Sequence, residues 1–97
     1  MSQKPIVHVE YDGAGYEPRY QVLREQILRK VPESTVTGAQ GRSSSFEVTL
    51  NNKEIFSKLK VGQFPNSDKI TEEVNNAAEN RETQQVTEVD KNSCTII

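Results

Sequence analysis

Apolar and polar residues in the first third of the chain follow patterns that predict one strand and one helix. Residues 6–11 form a short run rich in β-branched side chains, which favours a strand. A helix is indicated next by apolar residues at spacings of three and four positions, which are Tyr16, Tyr20, Leu23, Ile27 and Val31. Pro18 is compatible with the first turn of this helix, and Pro32 ends it.

Three further strands and a second helix are predicted downstream. Residues 35–37 and 46–50 favour strands, and a turn at residues 51–53 leads into a fourth strand at 54–59. Ser67 is placed to cap a second helix, whose narrow apolar face would consist of Ile70, Val74, Ala77 and Ala78. The order β-α-β-β-β-α implies an α+β, thioredoxin-like fold, in which two helices pack on a four-stranded mixed sheet. A β-grasp fold is the main competitor, but it usually starts with a hairpin.

Composition indicates one small domain followed by a polar tail. Hydrophobic residues make up 33% of the 97 positions, and residues 80–93 contain only Val86 and Val89 as apolar side chains. We therefore expect a domain at residues 1–80 and a flexible, disordered tail at residues 81–97. The net charge is −2 with mixed acids and bases, which argues against nucleic acid as a partner.

The single cysteine limits the chemistry that the chain can support. One cysteine excludes an internal disulfide and a Cys-rich zinc site, so no metal or cofactor is expected. The first residues contain no apolar stretch typical of a signal peptide, and no segment approaches the ~20 apolar residues of a membrane span. These features predict a cytoplasmic protein.

Cys94 lies in the sequence Cys94-Thr95-Ile96-Ile97, which fits the C-a-a-X pattern for prenylation. An apolar last residue favours a geranylgeranyl group. One isoprenoid gives only marginal, reversible membrane binding, and residues 88–93 contain no basic patch and no second cysteine. We therefore expect lipidation at Cys94 and dynamic association with the inner leaflet of the plasma membrane. The alternative is an unmodified tail.

Several short segments also match, in order and spacing, a pattern known from one protein family. These segments are Val9-Glu10-Tyr11, Gly15-Tyr16-Glu17, Phe46-Glu47-Val48, Phe56-Ser57-Lys58-Leu59, Phe64-Pro65 and the Cys94 box. In these residues the chain resembles the selenoprotein W and Rdx family over about residues 6–80 plus the tail. The resemblance implies a minimal thioredoxin-like sheet and protein partners in signalling, cell migration or redox regulation.

The loop after the first strand departs from that family. The family has a Cys-x-x-Cys or Cys-x-x-selenocysteine pair here, whereas this chain has Asp12, Gly13, Ala14 and Gly15. Asp12 stands where the first cysteine is expected, and the second position is missing. Thiol–disulfide exchange needs a thiolate and a resolving partner, so this degenerate redox loop is predicted to be a contact surface without catalytic residues. One residue inserted between Ala14 and Gly15 would restore the family spacing, so a selenocysteine missing from the written sequence is the alternative.

Three other residues have simple structural interpretations. His8 is expected to be an ordinary strand residue, since no metal-binding cluster surrounds it in the sequence. Tyr20 fits a tyrosine phosphorylation motif, but its place on the apolar stripe predicts burial. Phe64 fits either a partner contact or a packing role before the second helix.

For the whole chain, the leading hypothesis is a non-enzymatic, prenylated adaptor or regulator, and the rival is a selenoprotein W-type redox protein.

Overall fold

The computed structural model describes residues 4–90 of the chain. Its strands are β1 (Ile6–Tyr11), β2 (Thr35–Gln40), β3 (Phe46–Leu50) and β4 (Lys53–Ser57). Its helices are α1 (Glu17–Lys30), α2 (Lys58–Val61) and α3 (Ser67–Ala78). The predicted order of strands and helices is therefore confirmed, with the short α2 as an addition.

The four strands form one mixed sheet in the order β2-β1-β3-β4. β1 and β2 are parallel, with Ile6 opposite Thr35, as a strand–helix–strand unit requires. β3 is antiparallel to both β1 and β4. Asn51 and Asn52 connect β3 to β4 with positive φ angles of 53° and 70°, which gives the tight turn that hairpins prefer.

The core lies between one face of the sheet and the helices α1 and α3. The buried stripe on α1 consists of Tyr20, Leu23 and Ile27, and the residues buried on α3 include Ile70 and Val74. The rings of Tyr11 and Tyr20 stack 5.2 Å apart with an angle of 12° between their planes. Burial raises the pKa of Tyr20, and its hydroxyl is withdrawn from a kinase as the apolar stripe predicted.

The fourth strand is shorter than the sequence indicates. It ends at Ser57, whose hydroxyl accepts a hydrogen bond from the backbone N–H of Lys60 and so caps α2. Gly62 closes α2 with a φ of 91°, a conformation that favours glycine. A side-chain cap and a left-handed glycine thus favour a helical turn where β propensity predicted a strand. Similarly, Asn66 rather than Ser67 caps α3, through Oδ1 to the N–H of Asp68.

Residues 81–90 lie against the domain, which differs from the flexible tail expected from residue 81. Val86 is only 6% exposed, and its N–H donates to the carbonyl of Ile55 at 2.7 Å. Val89 forms an antiparallel bridge with Pro65. Val86 and Val89, the two apolar residues of this polar segment, therefore hold it against the domain. The tail expected for residues 91–97 lies outside the described residues.

Candidate functional site

Asp12 fixes the loop between β1 and α1 through both of its carboxylate oxygens. Its Oδ1 accepts a hydrogen bond from the N–H of Ala14 at 2.8 Å, and its Oδ2 accepts one from Ser44 at 2.7 Å. These two N–H groups, that of Ser44 first, hold the pKa of Asp12 below its usual 3.8. The carboxylate therefore ties two loops together, and its oxygens are occupied by the backbone of the chain itself.

The rest of this loop is shaped by backbone geometry. Gly15 adopts a φ of 150°, a conformation that side chains disfavour, and nothing lies within 4 Å of the place where a Cβ would be. The N–H of Tyr16 then donates to the carbonyl of Asp12 at 3.1 Å, which leads the chain into α1. Gly13, Ala14 and Gly15 are all exposed. The loop thus presents a small, open backbone surface before the first turn of α1.

A cluster of aromatic rings and cations lies beside this loop. The Phe64 ring makes edge contacts with Tyr16 and Phe46, at centroid distances of 4.8 and 5.4 Å. The guanidinium of Arg19 lies 3.9 Å from the centroid of Phe64. Lys58 Nζ lies 5.1 Å from the Tyr16 ring and also donates to the carbonyl of Ser44. The contacts of Arg19 and Lys58 with the rings are cation–π pairs, and they lie at the half-buried rings of Tyr16 and Phe64, whereas Phe46 is buried beneath them.

An apolar groove of about 190 Å³ opens next to the cluster. Its lining is formed by Arg19, Val22, Leu23, Phe46, Phe64, Pro65, Ser67 and Asp90. Val22 is 62% exposed and forms part of the apolar lining. The groove is large enough for one or two apolar side chains of a partner, and its rim contains the ion pair between Arg19 and Asp90.

Sequence reasoning identified part of this site and missed part of it. The structure brings the predicted loop at Asp12 and the segment Phe64-Pro65 to one end of the domain. It adds Arg19, Lys58 and Asp90, which sequence reasoning did not select. Arg19 lies three positions after Tyr16, the residue that precedes α1, and this spacing is a weak indication that the two side chains are neighbours. No feature of the sequence indicates that Asp90 lies near them.

The side chains that meet at this site are a carboxylate, aromatic rings and cations. The loop contains no thiol, and the only cysteine of the chain, Cys94, lies outside the described residues. Within residues 4–90, no group of three or more His, Cys, Asp or Glu side chains is arranged to hold a metal ion. The helices in that range are all too short or too polar to cross a bilayer. His8 is a strand residue, as predicted, and its Nδ1 lies 2.9 Å from the hydroxyl of Thr37.

Comparisons with known proteins agree with the resemblance seen in the sequence. The chain is 28% identical over 80 residues to migration and invasion enhancer 1 of Bos taurus, covering 81% of this chain and 70% of that protein. The same figures hold for migration and invasion enhancer 1 of Mus musculus.

A crystal structure of a selenoprotein W-related protein from Vibrio cholerae superimposes with a TM-score of 0.70 at 19% identity. The match covers 76% of this chain and 96% of the other, and it confirms the thioredoxin-like fold. A sequence model of the Rdx family matches residues 6–76. The chain belongs to the Rdx family.

Proposed function

We propose that this chain is a non-enzymatic adaptor that binds a protein partner at the Asp12 loop and the adjacent groove. The observation behind this proposal is that both carboxylate oxygens of Asp12 accept hydrogen bonds from loop N–H groups. A carboxylate in this role cannot replace the thiolate that disulfide exchange requires.

The groove has the composition of a protein-binding surface. Its exposed apolar residue, Val22, lies beside the half-buried ring of Phe64, and Arg19 packs on that ring. Aromatic and arginine side chains that border an apolar pocket are the residues that contribute most to binding energy at interfaces. An apolar side chain of the partner would fill the groove, and the remaining exposed loop N–H groups would donate hydrogen bonds to the partner's polar atoms.

Membrane attachment through Cys94 is the second part of the proposal. Because residues 81–90 pack on the domain, the spacer before the lipid would be residues 91–93 only. Cys94 lies four residues after Asp90, so its Cα can be no more than ~14 Å from that of Asp90 at the groove rim. An isoprenoid on Cys94 would hold the groove close to the inner leaflet, where it could contact membrane-bound signalling proteins. The bovine and murine relatives are named for migration and invasion, and we extend a role in migration signalling to this chain.

The intact mass of the protein from eukaryotic cells tests the tether. The expected mass contains one geranylgeranyl group and lacks the last three residues. The Cys94→Ser variant should show no such change. An unmodified mass for the 97 residues would overturn membrane attachment. An excess equal to one selenocysteine would overturn the non-enzymatic proposal, because it would restore the redox pair position between Ala14 and Gly15.

A pair of surface variants tests the binding site. Val22→Asp places a charge in the groove, whereas Ile6→Asp places one at the first residue of β1, a position that does not line the groove. Both residues are exposed, at 62% and 57%, so both variants should fold. Proximity labelling in cells should show partners that Val22→Asp loses and Ile6→Asp retains. Identical partner sets for the two variants would contradict the proposal.

A further inference from the structure

β2 is an edge strand with one free side. It pairs only with β1, and the N–H groups of Thr35 and Gly41 donate to the carbonyls of Pro5 and Tyr11. Because peptide groups alternate in direction along a strand, those of Val36, Gly38 and Gln40 point away from β1. Within residues 4–90 no other strand lies on that side. Three residues therefore present unpaired donors and acceptors along one line.

The opposite edge of the sheet is protected, and β2 is not. At β4 the carbonyl of Ile55 accepts a hydrogen bond from Val86, so the segment after α3 covers that edge. β2 has the sequence Thr-Val-Thr-Gly-Ala-Gln, which contains no charge and no proline, and its register with β1 runs without a bulge. Charged residues, prolines and bulges are the features that normally prevent such an edge from pairing with another chain.

We propose that the β2 strands of two copies of this chain pair antiparallel, so that the two sheets form one eight-stranded sheet. A two-fold axis at Gly38 would place Val36 of one copy opposite Gln40 of the other, with up to about six new hydrogen bonds. Because β2 is uncharged, the paired strands do not repel each other.

Charge at the two ends of β2 favours a second copy as the occupant. Glu33 precedes the strand, and Arg42 follows it. Arg42 pairs with Glu10 within its own chain at 2.9 Å, but its side chain is 64% exposed and can reach a second carboxylate. Antiparallel pairing brings Glu33 of one copy towards Arg42 of the other, whereas parallel pairing would place like charges together. None of the groove residues belongs to β2, so a dimer can form while the groove is open. The interface is one short strand on each side, and we expect weak, concentration-dependent association.

Sedimentation equilibrium of the full chain, from low micromolar to millimolar concentration, tests this proposal. A reducing agent keeps Cys94 from forming a disulfide between chains. The average mass should rise from 10.9 kDa towards twice that value.

A variant at Ala39 tests the same pairing. Ala39 is exposed and lies on the face of the sheet away from the helices, the face on which Thr37 contacts His8. Ala39→Lys would place two lysines at diagonal positions across the new pair and should weaken association about tenfold. Ala39→Gln, similar in length and uncharged, should associate like the wild type.

Amide NMR signals locate the contact. Shifts that depend on concentration should be largest at Val36, Gly38 and Gln40, and the spectrum of Ala39→Lys at low concentration also shows that this variant is folded. A constant mass over the whole range would overturn the proposal. Association that Ala39→Lys does not weaken, or shifts centred on Val22 and Phe64, would overturn it as well.

Discussion

Arg19 Nη1 lies 3.0 Å from Asp90 Oδ2, and this ion pair joins the first turn of α1 to the last residue that the structure describes. The two residues are 71 positions apart in the sequence. Both line the apolar groove, so one wall of the candidate site is supplied by the segment after α3. The groove is complete only when that segment is packed on the domain.

Val86 is expected to stabilise this segment more than the ion pair does. Val86→Ala removes buried apolar volume and should lower the free energy of unfolding by about 1–2 kcal/mol. The pair of Arg19 and Asp90 is partly exposed, and Asp90→Asn should cost at most about 1 kcal/mol. Urea unfolding of each variant gives both values. The matched control is Val22→Ala, an exposed position that should change stability by less than about 0.5 kcal/mol. Equal losses for the two valines would show that residues 81–90 do not pack as described.

The layers of the fold could be predicted because their signals are local. The stripe from Tyr20 to Ile27 records which face of α1 is buried. The alternation in residues 46–50 identifies the apolar core positions of β3 but not the burial of Glu47 on its other face. The end of the domain could not be predicted from composition. Two valines among the fourteen residues 80–93 leave the apolar fraction of this segment low, although both side chains pack on the domain. Within the candidate site, the sequence pointed to the Asp12 loop and to Phe64. Arg19, Lys58 and Asp90 come from separate segments, and only tertiary packing brings them together.

The ion pair of Glu10 with Arg42 should make stability depend on pH in acid. The Arg42 side chain holds the pKa of Glu10 at about 2, compared with its usual 4.5. Because the folded pKa is lowered, the stabilisation is complete above pH 4.5 and is lost as the pH falls towards about 2. Arg42 is 64% exposed, so solvent screening limits the contribution to about 1 kcal/mol.

Glu10→Gln should therefore be less stable than the wild type at pH 7 and equally stable near pH 2. Unfolding by urea at several pH values measures this difference. Glu33→Gln is the control, an exposed carboxylate outside the strands that should give a difference near zero at both pH values. A stability difference for Glu10→Gln that persists at pH 2 would contradict the role of the charge.

A side chain at Gly38 should lower the stability of the fold, because this glycine lies against the ring of Tyr20. A Cβ at this position would be 2.5 Å from the ring, and both residues belong to packed elements. Gly38→Ala should cost about 1–3 kcal/mol in stability, since the stacked pair of Tyr11 and Tyr20 has to move. Gly13→Ala meets only the flexible end of Gln40 at the same distance, so its cost should be smaller. Thermal or urea unfolding compares the two, and a larger loss for Gly13→Ala would contradict this packing.

Asp12 should act as a structural anchor of its loop. Asp12→Ala removes the acceptors for the N–H groups of Ala14 and Ser44, so hydrogen exchange at both amides should accelerate about tenfold or more. Asp12→Asn keeps one oxygen, and only one of the two amides should stay protected. The lowered pKa of Asp12 means that its contribution is present above pH 3.8 and is lost as acid protonates the folded form.

The amide of Ile70 in α3 serves as the internal reference, because its N–H donates to the carbonyl of Asn66 and the hydrogen bonds of Asp12 go to other segments. Unchanged rates at Ala14 and Ser44 in Asp12→Ala would mean that the carboxylate does not hold the loop. The Asp12 carboxylate would then be free of backbone hydrogen bonds, and its side chain would have to be considered for chemistry. Accelerated rates would instead mean that Asp12 belongs to the framework of the proposed binding surface.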